Sequence, residues 1–317
     1  MTIHSSNRIR PSKRHIISRI KNKIRSCFFL DQWIVLLAPS TGYKSLSWDD
    51  FKPLVPPLDR LWADPFIWVD NNTYYIFIEE MIYSTNRGRI ACLTLDKEMN
   101  ILSNQIVLER PYHLSYPFIF EHEGQLYMIP ETGKNHGIEL YRCARFPDQW
   151  IFERNLISNL YAVDATLLKK GDRWWLFANI RTEGGSTEDT LHLYYADHPF
   201  LDSWTPHPLN PIVKDIYSAR PAGRIFLEDG ILIRPSQDCS ARYGYATNFY
   251  RIITLTETDY AEVHEHTFYP QGKGGILGIH TYNDMAGITV IDAEQRRPRF
   301  LGQISAHSSR HDFSDLL

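Results

Sequence analysis

The sequence is poor in cysteine, the residue that staples small secreted domains and binds many metals. Only 4 of its 317 residues are cysteines, namely Cys27, Cys92, Cys143 and Cys239, and they lack the close spacing of a metal site. Cys92 and Cys143 lie in apolar runs, so we expect them to be buried, reduced thiols. A disulfide-stapled fold is therefore not expected.

Long apolar segments are also missing. The apolar run that begins at Cys27, CFFLDQWIVLLA, is interrupted by Asp31 and Gln32 and is too short to span a bilayer. It follows a long charged segment, which does not fit a secretory signal peptide. We therefore expect a cytoplasmic protein, with a core built from its 43% of hydrophobic residues.

Acidic residues are absent from residues 1–30, which contain eight lysines and arginines, whereas the remainder carries 26 basic and 37 acidic residues. No basic stripe continues into this acidic body, so no nucleic-acid partner is expected. Within residues 14–28, isoleucines recur at helical spacing between basic residues. This pattern predicts a short basic amphipathic helix that could hold the protein at an anionic membrane surface, on its inner face. A frayed tail, or a helix packed on the domain, is the alternative.

What the sequence does contain is a block that returns five times at roughly fifty-residue spacing. It reads ADPFIWVDNNTYYIFIEE from Ala63, SYPFIFEHEGQLYMIPET from Ser115 and VDATLLKKGDRWWLFAN from Val163, with weaker copies from Ala219 and Ile279. Each copy is an apolar strand, a polar turn and a second strand, and further strands follow it. About four strands per repeat is typical of a propeller blade.

The repeat therefore predicts an all-β protein, a five-bladed β-propeller over residues 31–292. Residues 1–30 form the basic arm, and residues 293–317 are expected to be a poorly ordered tail. The fifth blade lacks outer strands of its own. We expect the segments WIVLLAPS and DDFKPLVPP, which precede the first blade, to supply them and so close the ring without exposed edges.

One position of the block differs in chemistry from copy to copy. Its second residue is in turn Asp64, Tyr116, Asp164, Arg220 and His280. Because the inner strands of a propeller start at one mouth of its central channel, we expect these side chains to ring a single pocket. The ends of the second strands should rim the pocket as well.

Several carboxylates in one pocket can carry out sugar chemistry, in which one protonates a leaving oxygen and another acts as base or nucleophile. The catalytic candidates are Asp64, Asp164 and Glu131. Glu79 and Glu80 are adjacent, so only one of them can face the channel, and Glu80 is included as a substrate-binding candidate. The alternative role for each Asp is a turn residue bonded to backbone N–H groups.

Arginines are concentrated in the fourth repeat, where Arg220, Arg224, Arg234 and Arg242 lie close together in an acidic body. Guanidinium groups bind phosphate and carboxylate by paired hydrogen bonds, so an anion pocket is predicted beside the carboxylates. The alternative is an ion-pair network with neighbouring acids. The remaining substrate-binding candidates are Tyr116, Gln237, Asp238, Tyr243 and His280. No metal ligand set or cofactor is established, and a divalent cation near His280 is a minority option.

Four strings, WADPFIWVDNNTYYIFIEE, HLSYPFIFEHEGQLYMIPET, AVDATLLKKGDRWWLFAN and SARPAGRIFLEDGILIRPSQDCSARYGYA, resemble one known domain. It is the N-terminal domain of the glucosamine inositolphosphorylceramide transferases, and the resemblance covers roughly residues 33–292. It implies a five-bladed propeller related to family-43 glycoside hydrolases, in a setting of glycolipid or surface-polysaccharide assembly. Nothing in the sequence matches the separate C-terminal glycosyltransferase domain of the plant proteins.

The wider resemblance to family-43 hydrolases implies roles for single residues. Their catalytic base matches Asp64, and the Asp that tunes the pKa of the acid matches Asp164. Their general acid, a Glu, falls on Arg220, which cannot donate a proton. Related phosphorylases use one Asp, with Arg and His residues that hold phosphate. The set of Asp64, Arg220, Arg234 and His280 resembles theirs.

Three functions follow from these patterns. The leading one is sugar transfer from a phosphorylated sugar or nucleotide sugar to a glycan or lipid-linked acceptor, in cell-surface polysaccharide or glycolipid synthesis. The second is a family-43-like hydrolase that has moved its acid to Glu131. The third is a non-catalytic glycan-binding propeller that serves a separate transferase.

Overall fold

The computed structural model describes residues 27–182, 185–200, 203–271 and 273–299. The predicted basic helix over residues 14–28 therefore lies almost entirely outside the described residues, as does most of the predicted C-terminal tail. None of the helices within the described ranges has the length and apolar character needed to cross a bilayer. Short 3-10 turns are found at Tyr43–Ser45, Trp48–Asp50, Gly133–Asn135 and Lys273–Gly275.

The described residues form five antiparallel sheets, each of which is one propeller blade, so the predicted five-bladed fold is confirmed. Two strands precede the first blade: β1 (Phe29–Pro39) and β2 (Lys52–Leu54). Blade one contains β3 (Arg60–Asp70), β4 (Thr73–Ile82), β5 (Arg87–Leu95) and β6 (Ile101–Leu108). Blade two contains β7 (Ser115–His122), β8 (Gln125–Glu131), β9 (Gly137–Arg145) and β10 (Gln149–Ser158).

The next two blades follow the same order from the channel outwards. Blade three contains β11 (Ala162–Lys170), β12 (Arg173–Ile180), β13 (Thr190–Ala196) and the short β14 (Thr205–Pro206) and β15 (Val213–Lys214). Both short strands pair with β13. Blade four contains β16 (Phe226–Glu228), β17 (Ile231–Asp238), β18 (Ala246–Leu255) and β19 (Tyr260–Phe268).

The fifth blade joins the two ends of the described chain. Its inner strand is split into β20 (Ile276–Gly278) and β21 (Tyr282–Met285), and both pieces pair with β22 (Ile288–Pro298). Strand β22 then pairs with β1 along its whole length, from Phe29↔Pro298 to Pro39↔Ile288, and β1 pairs with β2. This is the predicted ring closure. Strand β22 also continues to Pro298, past the boundary expected at residue 292.

Apolar side chains fill the spaces between neighbouring blades. Blades one and two, for example, enclose the fully buried Phe77, Ile119 and Met128. Cys92 and Cys143 belong to the same cluster and are free thiols, as expected. Because each sheet buries both faces in this way, the channel-facing ends of the strands have firm support on which to place polar groups.

Candidate functional site

The three regular inner strands share one backbone feature at the varied position. Asp64, Tyr116 and Asp164 all adopt left-handed backbone conformations, with φ of 51°, 42° and 54°. In each blade the strand pairing also slips at this point, as between Ala63 and Phe66 in blade one. Left-handed geometry is strained for residues other than glycine, and such strain concentrates at functional sites. In blades one and three the bulge turns a carboxylate towards the channel.

The ends of the second strands reach the same mouth. Glu79, Glu131 and Asn179 are the register partners of the residues just before Asp64, Tyr116 and Asp164. The channel therefore brings together charged side chains from all five blades. Its members are Asp64, Glu79, Glu131, Asp164, Arg220, His280 and Asp292, with His113 at the edge.

A fixed cation holds one half of this cluster. Arg220 Nε donates to Asp164 Oδ2 over 2.6 Å, and Arg220 Nη2 lies 3.9 Å from Glu131 Oε2. Gln237 Nε2 donates to the same Asp164 oxygen over 3.3 Å, and the Arg220 guanidinium lies 4.9 Å from the centroid of the Tyr243 ring. Five predicted site residues, Glu131, Asp164, Arg220, Gln237 and Tyr243, are thus in one connected group.

Asp64 organises the other half. Its Oδ2 accepts a hydrogen bond from the Tyr116 backbone N–H over 3.1 Å, and its Oδ1 accepts one from the Thr281 hydroxyl over 3.0 Å. His280 Nε2 lies 3.8 Å from the same Oδ1. The Asp64 carboxyl is buried, yet the channel places a histidine nitrogen and a hydroxyl beside one of its oxygens.

Asp292, a residue outside the predicted site, positions the groups of this half. Its Oδ2 accepts from His280 Nδ1 over 2.6 Å and from the Asp64 N–H over 2.8 Å. Its Oδ1 accepts from the backbone N–H groups of His280 and Thr281. Trp33 stacks on the imidazole at a centroid distance of 3.9 Å. Its sequence signal is an Asp inside the apolar run ITVIDA. A carboxylate buried in a strand needs hydrogen-bond donors around it, so this residue could have been expected at a polar site.

The adjacent glutamates of β4 face opposite sides, and Glu79, in place of the predicted Glu80, lies near Asp64. Glu79 pairs with His113 Nε2 at 3.2 Å and is close enough to Asp64 to raise the pKa of that carboxyl. Glu80 instead accepts hydrogen bonds from Trp62, Arg89 and Asn104, within blade one. Its carboxylate is therefore committed to holding strands together.

Tyr116 also differs from its predicted role as a substrate-binding residue. The ring is fully buried, its hydroxyl lies 2.8 Å from Thr166 Oγ1, and it accepts from the Gly223 N–H over 2.8 Å. A Cβ at position 223 would lie 2.0 Å from the Tyr282 carbonyl oxygen, so only glycine fits there. Tyr116 thus braces blades two, three and four beneath the channel mouth.

The predicted arginine pocket is not formed. Arg234 is buried in an ion pair with Glu262, at 2.6 Å, and also donates to the Ser218 carbonyl. Arg242 pairs with Glu294 near the mouth. Asp238 accepts from the Ser240 N–H and caps a turn. The ion-pair alternative therefore describes these arginines, although the acids that pair with them come from other strands than expected.

Burial raises the pKa values of the two central carboxyls. It raises the pKa of Asp64 to about 7 and that of Glu131 to about 8, with neighbouring carboxylates adding to both shifts. Burial alone would lower the pKa of His280, but the carboxylates of Asp292 and Asp64 outweigh it and raise this pKa to about 9. Near neutral pH the channel therefore contains two carboxyls able to hold a proton and an imidazolium.

Asp64, His280 and Asp292 bring one potential ligand atom each to within 4.8 Å of one another. The fit to a cation is nevertheless poor. Both Asp292 oxygens accept backbone N–H groups, and His280 Nδ1 points at Asp292. A cation would therefore compete with hydrogen bonds that already satisfy these atoms. The predicted cation near His280 stays a prediction.

Residues 58–278 match the family described as glucosamine inositolphosphorylceramide transferase 1, N-terminal. The chain belongs to this family. It is 37% identical over 217 residues to glucosamine inositolphosphorylceramide transferase 1 of Oryza sativa subsp. japonica, covering 67% of this chain and 29% of the rice protein. The Arabidopsis thaliana protein of the same name is 36% identical over 205 residues, covering 63% of this chain and 26% of that protein. The match thus spans less than a third of the curated relatives.

Solved structures with the same fold are more distant in sequence. The catalytic domain of the Coprinopsis cinerea GH62 α-L-arabinofuranosidase has a TM-score of 0.54 and 10% identity, covering 83% of this chain and 97% of that one. The GH43 endo-arabinanase from Bacillus licheniformis has a TM-score of 0.51 and 14% identity, covering 77% and 95%. At this identity the likeness establishes a shared propeller architecture.

Proposed function

We propose that this propeller transfers a sugar from a phosphorylated donor, in glycolipid or surface-polysaccharide assembly. The observation that carries the proposal is the pair of buried carboxyls, Asp64 and Glu131, whose pKa values are raised to about 7 and about 8 at one channel mouth. A general acid works best when its pKa lies near the working pH. The names of the relatives supply the glycolipid setting.

Glu131 is the proposed proton donor to the departing oxygen. When it loses its proton, the new carboxylate lies 3.9 Å from the Arg220 guanidinium, which stabilises the negative charge. Arg220 is held in place by its hydrogen bond to Asp164, and Gln237 holds Asp164 by donating to the same carboxylate oxygen. Arg220, which stands where family-43 hydrolases have their acid, thus does not donate a proton itself. It stabilises the carboxylate that Glu131 becomes after donating its proton.

Asp64 is the proposed acceptor of the proton that the attacking hydroxyl releases. Its Oδ1 lies 3.8 Å from His280 Nε2, so the imidazolium favours the ionised carboxylate that a base requires. Asp292 keeps the imidazole oriented through Nδ1. The proton balance closes when Asp64 gains one proton and Glu131 gives one up, and exchange with water restores both groups.

The cellular setting is part of the proposal. The basic segment at residues 14–28 would hold the protein at the cytoplasmic face of an anionic membrane, near a lipid-linked acceptor. The acceptor would be a phosphoinositol-containing lipid or a surface glycan, and the donor an activated hexosamine, by analogy with the names of the relatives.

The test is a transfer assay on the full chain, with nucleotide-activated hexosamines as donors and inositol phospholipid in detergent as acceptor. Asp64→Asn and Glu131→Gln are each expected to lower turnover by about 10²–10⁴-fold. Glu80→Gln is the matched control, because this neighbouring carboxylate is bonded within blade one, and it should leave turnover within about twofold. Unchanged turnover in both Asp64→Asn and Glu131→Gln contradicts the mechanism.

A glycan-binding propeller without catalysis is the second candidate. It is favoured by the tight ion pair between Arg220 and Asp164, because two side chains at the varied position bind each other there. This alternative predicts saturable oligosaccharide binding that survives Asp64→Asn. A hydrolase, by contrast, would release free sugar with no need for a phosphorylated donor, and its acid would again be Glu131.

A further inference from the structure

A second polar hollow lies on the same face of the propeller as the channel mouth. Its volume is about 620 Å³, and its lining includes His136, Asn159, Tyr161, Arg181 and Thr182. These residues follow the ends of β8, β10 and β12, where Glu131 and Asn179 also stand. The turn that contributes His136 to the hollow thus follows directly on the strand that ends at Glu131, the proposed proton donor.

Two cations converge on one aromatic ring here. The Arg181 guanidinium lies 3.8 Å from the centroid of the Tyr161 ring, and Lys134 Nζ lies 5.9 Å from it. Both of these cationic side chains are exposed. The His136 ring lies on the same tyrosine, with 6.2 Å between the His136 and Tyr161 ring centroids. Over residues 27–182, 185–200, 203–271 and 273–299 no carboxylate pairs with Arg181 or Lys134. Arg220, Arg234 and Arg242, by contrast, are all neutralised by acids.

The backbone around the hollow is locked. The Leu160 N–H donates to the His136 carbonyl over 3.2 Å, and the Arg181 N–H donates to the Tyr161 carbonyl over 2.9 Å. A Cβ at Gly133 would lie 2.6 Å from the Ala162 carbonyl oxygen, so the turn after Glu131 packs directly on the start of β11. Stacking on Tyr161 fixes the guanidinium plane and leaves its N–H edges available to a ligand.

We propose that this hollow binds a phosphate group of the substrate, with Arg181 as its main ligand and Lys134 and His136 adding positive charge. Phosphate oxygens match the paired donors of a guanidinium, and stacked arginine loses little entropy on binding. This assignment rests on the proposed function, because Lys134 and His136 follow the proposed proton donor, Glu131, in the turn after β8. The phosphate could come from a nucleotide donor or from the inositol-phosphate head of a lipid acceptor.

The test is calorimetric titration of the full chain with pyrophosphate, uridine diphosphate and inositol phosphate. We expect Arg181→Ala to weaken binding by about tenfold or more, which corresponds to about 1.4 kcal/mol. Arg145→Ala is the matched control, because this exposed arginine lies at the opposite end of β9 and pairs with Asp148, and it should leave binding unchanged. Tyr161→Phe keeps the ring and should retain most of the affinity.

The probes separate the two sources, and either result supports the proposal. Tighter binding of uridine diphosphate than of pyrophosphate points to the donor, and tightest binding of inositol phosphate points to the acceptor. Equal affinity in wild type and Arg181→Ala, or no binding of any probe, overturns the proposal.

Failure of this inference is distinct from failure of the proposed function. Glu131→Gln should lower transfer by about 10²–10⁴-fold while phosphate binding persists. If Arg181-dependent binding is found and no sugar transfer can be measured, the proposed function fails and the phosphate site stands. If transfer is measured and Arg181→Ala leaves the KM values for both donor and acceptor unchanged, the phosphate site fails alone.

Discussion

The two halves of the channel neutralise their buried carboxylates with different cations. In blades one and five, Asp64 and Asp292 share a histidine, whose charge can come and go. In blades two, three and four, Glu131 and Asp164 share Arg220, whose charge is permanent. One repeated scaffold position thus places a titratable cation in one half, called the titrating half, and a permanent cation in the other, called the fixed half. In the proposed mechanism each half exchanges one proton with the substrate, with Asp64 as the acceptor and Glu131 as the donor.

Removing the permanent cation should have the largest effect on stability. We expect Arg220→Leu to lower the free energy of unfolding by about 3–5 kcal/mol, because Asp164 would stay buried and unpaired. Chemical denaturation measures the change. Arg242→Ala is the control, since its ion pair with Glu294 is partly exposed and should contribute about 0–1 kcal/mol. A loss below that of the control contradicts a structural role for the fixed half.

Disrupting the titrating half should cost less. Asp292→Asn replaces an acceptor oxygen with an amide that cannot accept from both His280 and the Asp64 N–H. We expect a loss of about 2 kcal/mol in the free energy of unfolding, together with a lower His280 pKa in an NMR titration. Asp70→Asn, at the exposed end of β3, should change neither. An unchanged His280 pKa would show that Asp292 does not hold the imidazolium.

The pH dependence of stability tests both halves together. Asp64, Glu131 and His280 all have raised pKa values in the folded protein, so the folded state holds more protons than the unfolded one between about pH 4.5 and 9. Stability from these groups is present at the low end of that window and is lost as pH rises. The expected slope is up to about −1.4 kcal/mol per pH unit for each retained proton.

Glu131→Gln should make this slope shallower below about pH 8, and His280→Gln should do so mainly between the unfolded histidine pKa and about pH 9. Unfolding free energies of the variants across this window supply the measurement. A wild-type stability that rises steadily from pH 5 to pH 9 is the opposite sign and refutes the assignment of protons to these groups.

The smallest expected effect concerns the ring above the fixed half. Tyr243→Leu removes the aromatic face 4.9 Å from the Arg220 guanidinium and should lower the free energy of unfolding by about 0.5–1 kcal/mol. Tyr269→Leu is a control, because that exposed ring lies away from any arginine face among the described contacts. Equal losses of unfolding free energy in the two variants would show that the cation–π contact between Arg220 and Tyr243 does not stabilise the protein.

The fold could be predicted from sequence because the repeat fixes both strand number and ring closure. Once WIVLLAPS and DDFKPLVPP were assigned to the last sheet, the pairing of β1 with β22 followed. Asp64, Asp164, Arg220 and His280 could be found in the same way, since they occupy one position of the repeated block. Their common location needed only alignment of the copies.

The remainder depended on which face of a strand each residue occupies. Arg234 and Gln237 are separated by an odd number of positions on β17, so Gln237 faces Asp164 while Arg234 faces Glu262. Asp292 was missed because the inner strand of blade five is split, so the spacing that located Glu79 and Glu131 does not apply there. Tyr116 could not be assigned, because its support from Gly223 comes from a distant blade.

The most direct test of the central claim is an NMR titration of the Asp64 and Glu131 carboxyl carbons in the full chain. Asp64→Asn and Glu131→Gln identify the two resonances by their loss. We expect midpoints near pH 7 for Asp64 and near pH 8 for Glu131. Midpoints below pH 5 for both would mean that neither carboxyl holds a proton at neutral pH, and that result contradicts the proposed chemistry.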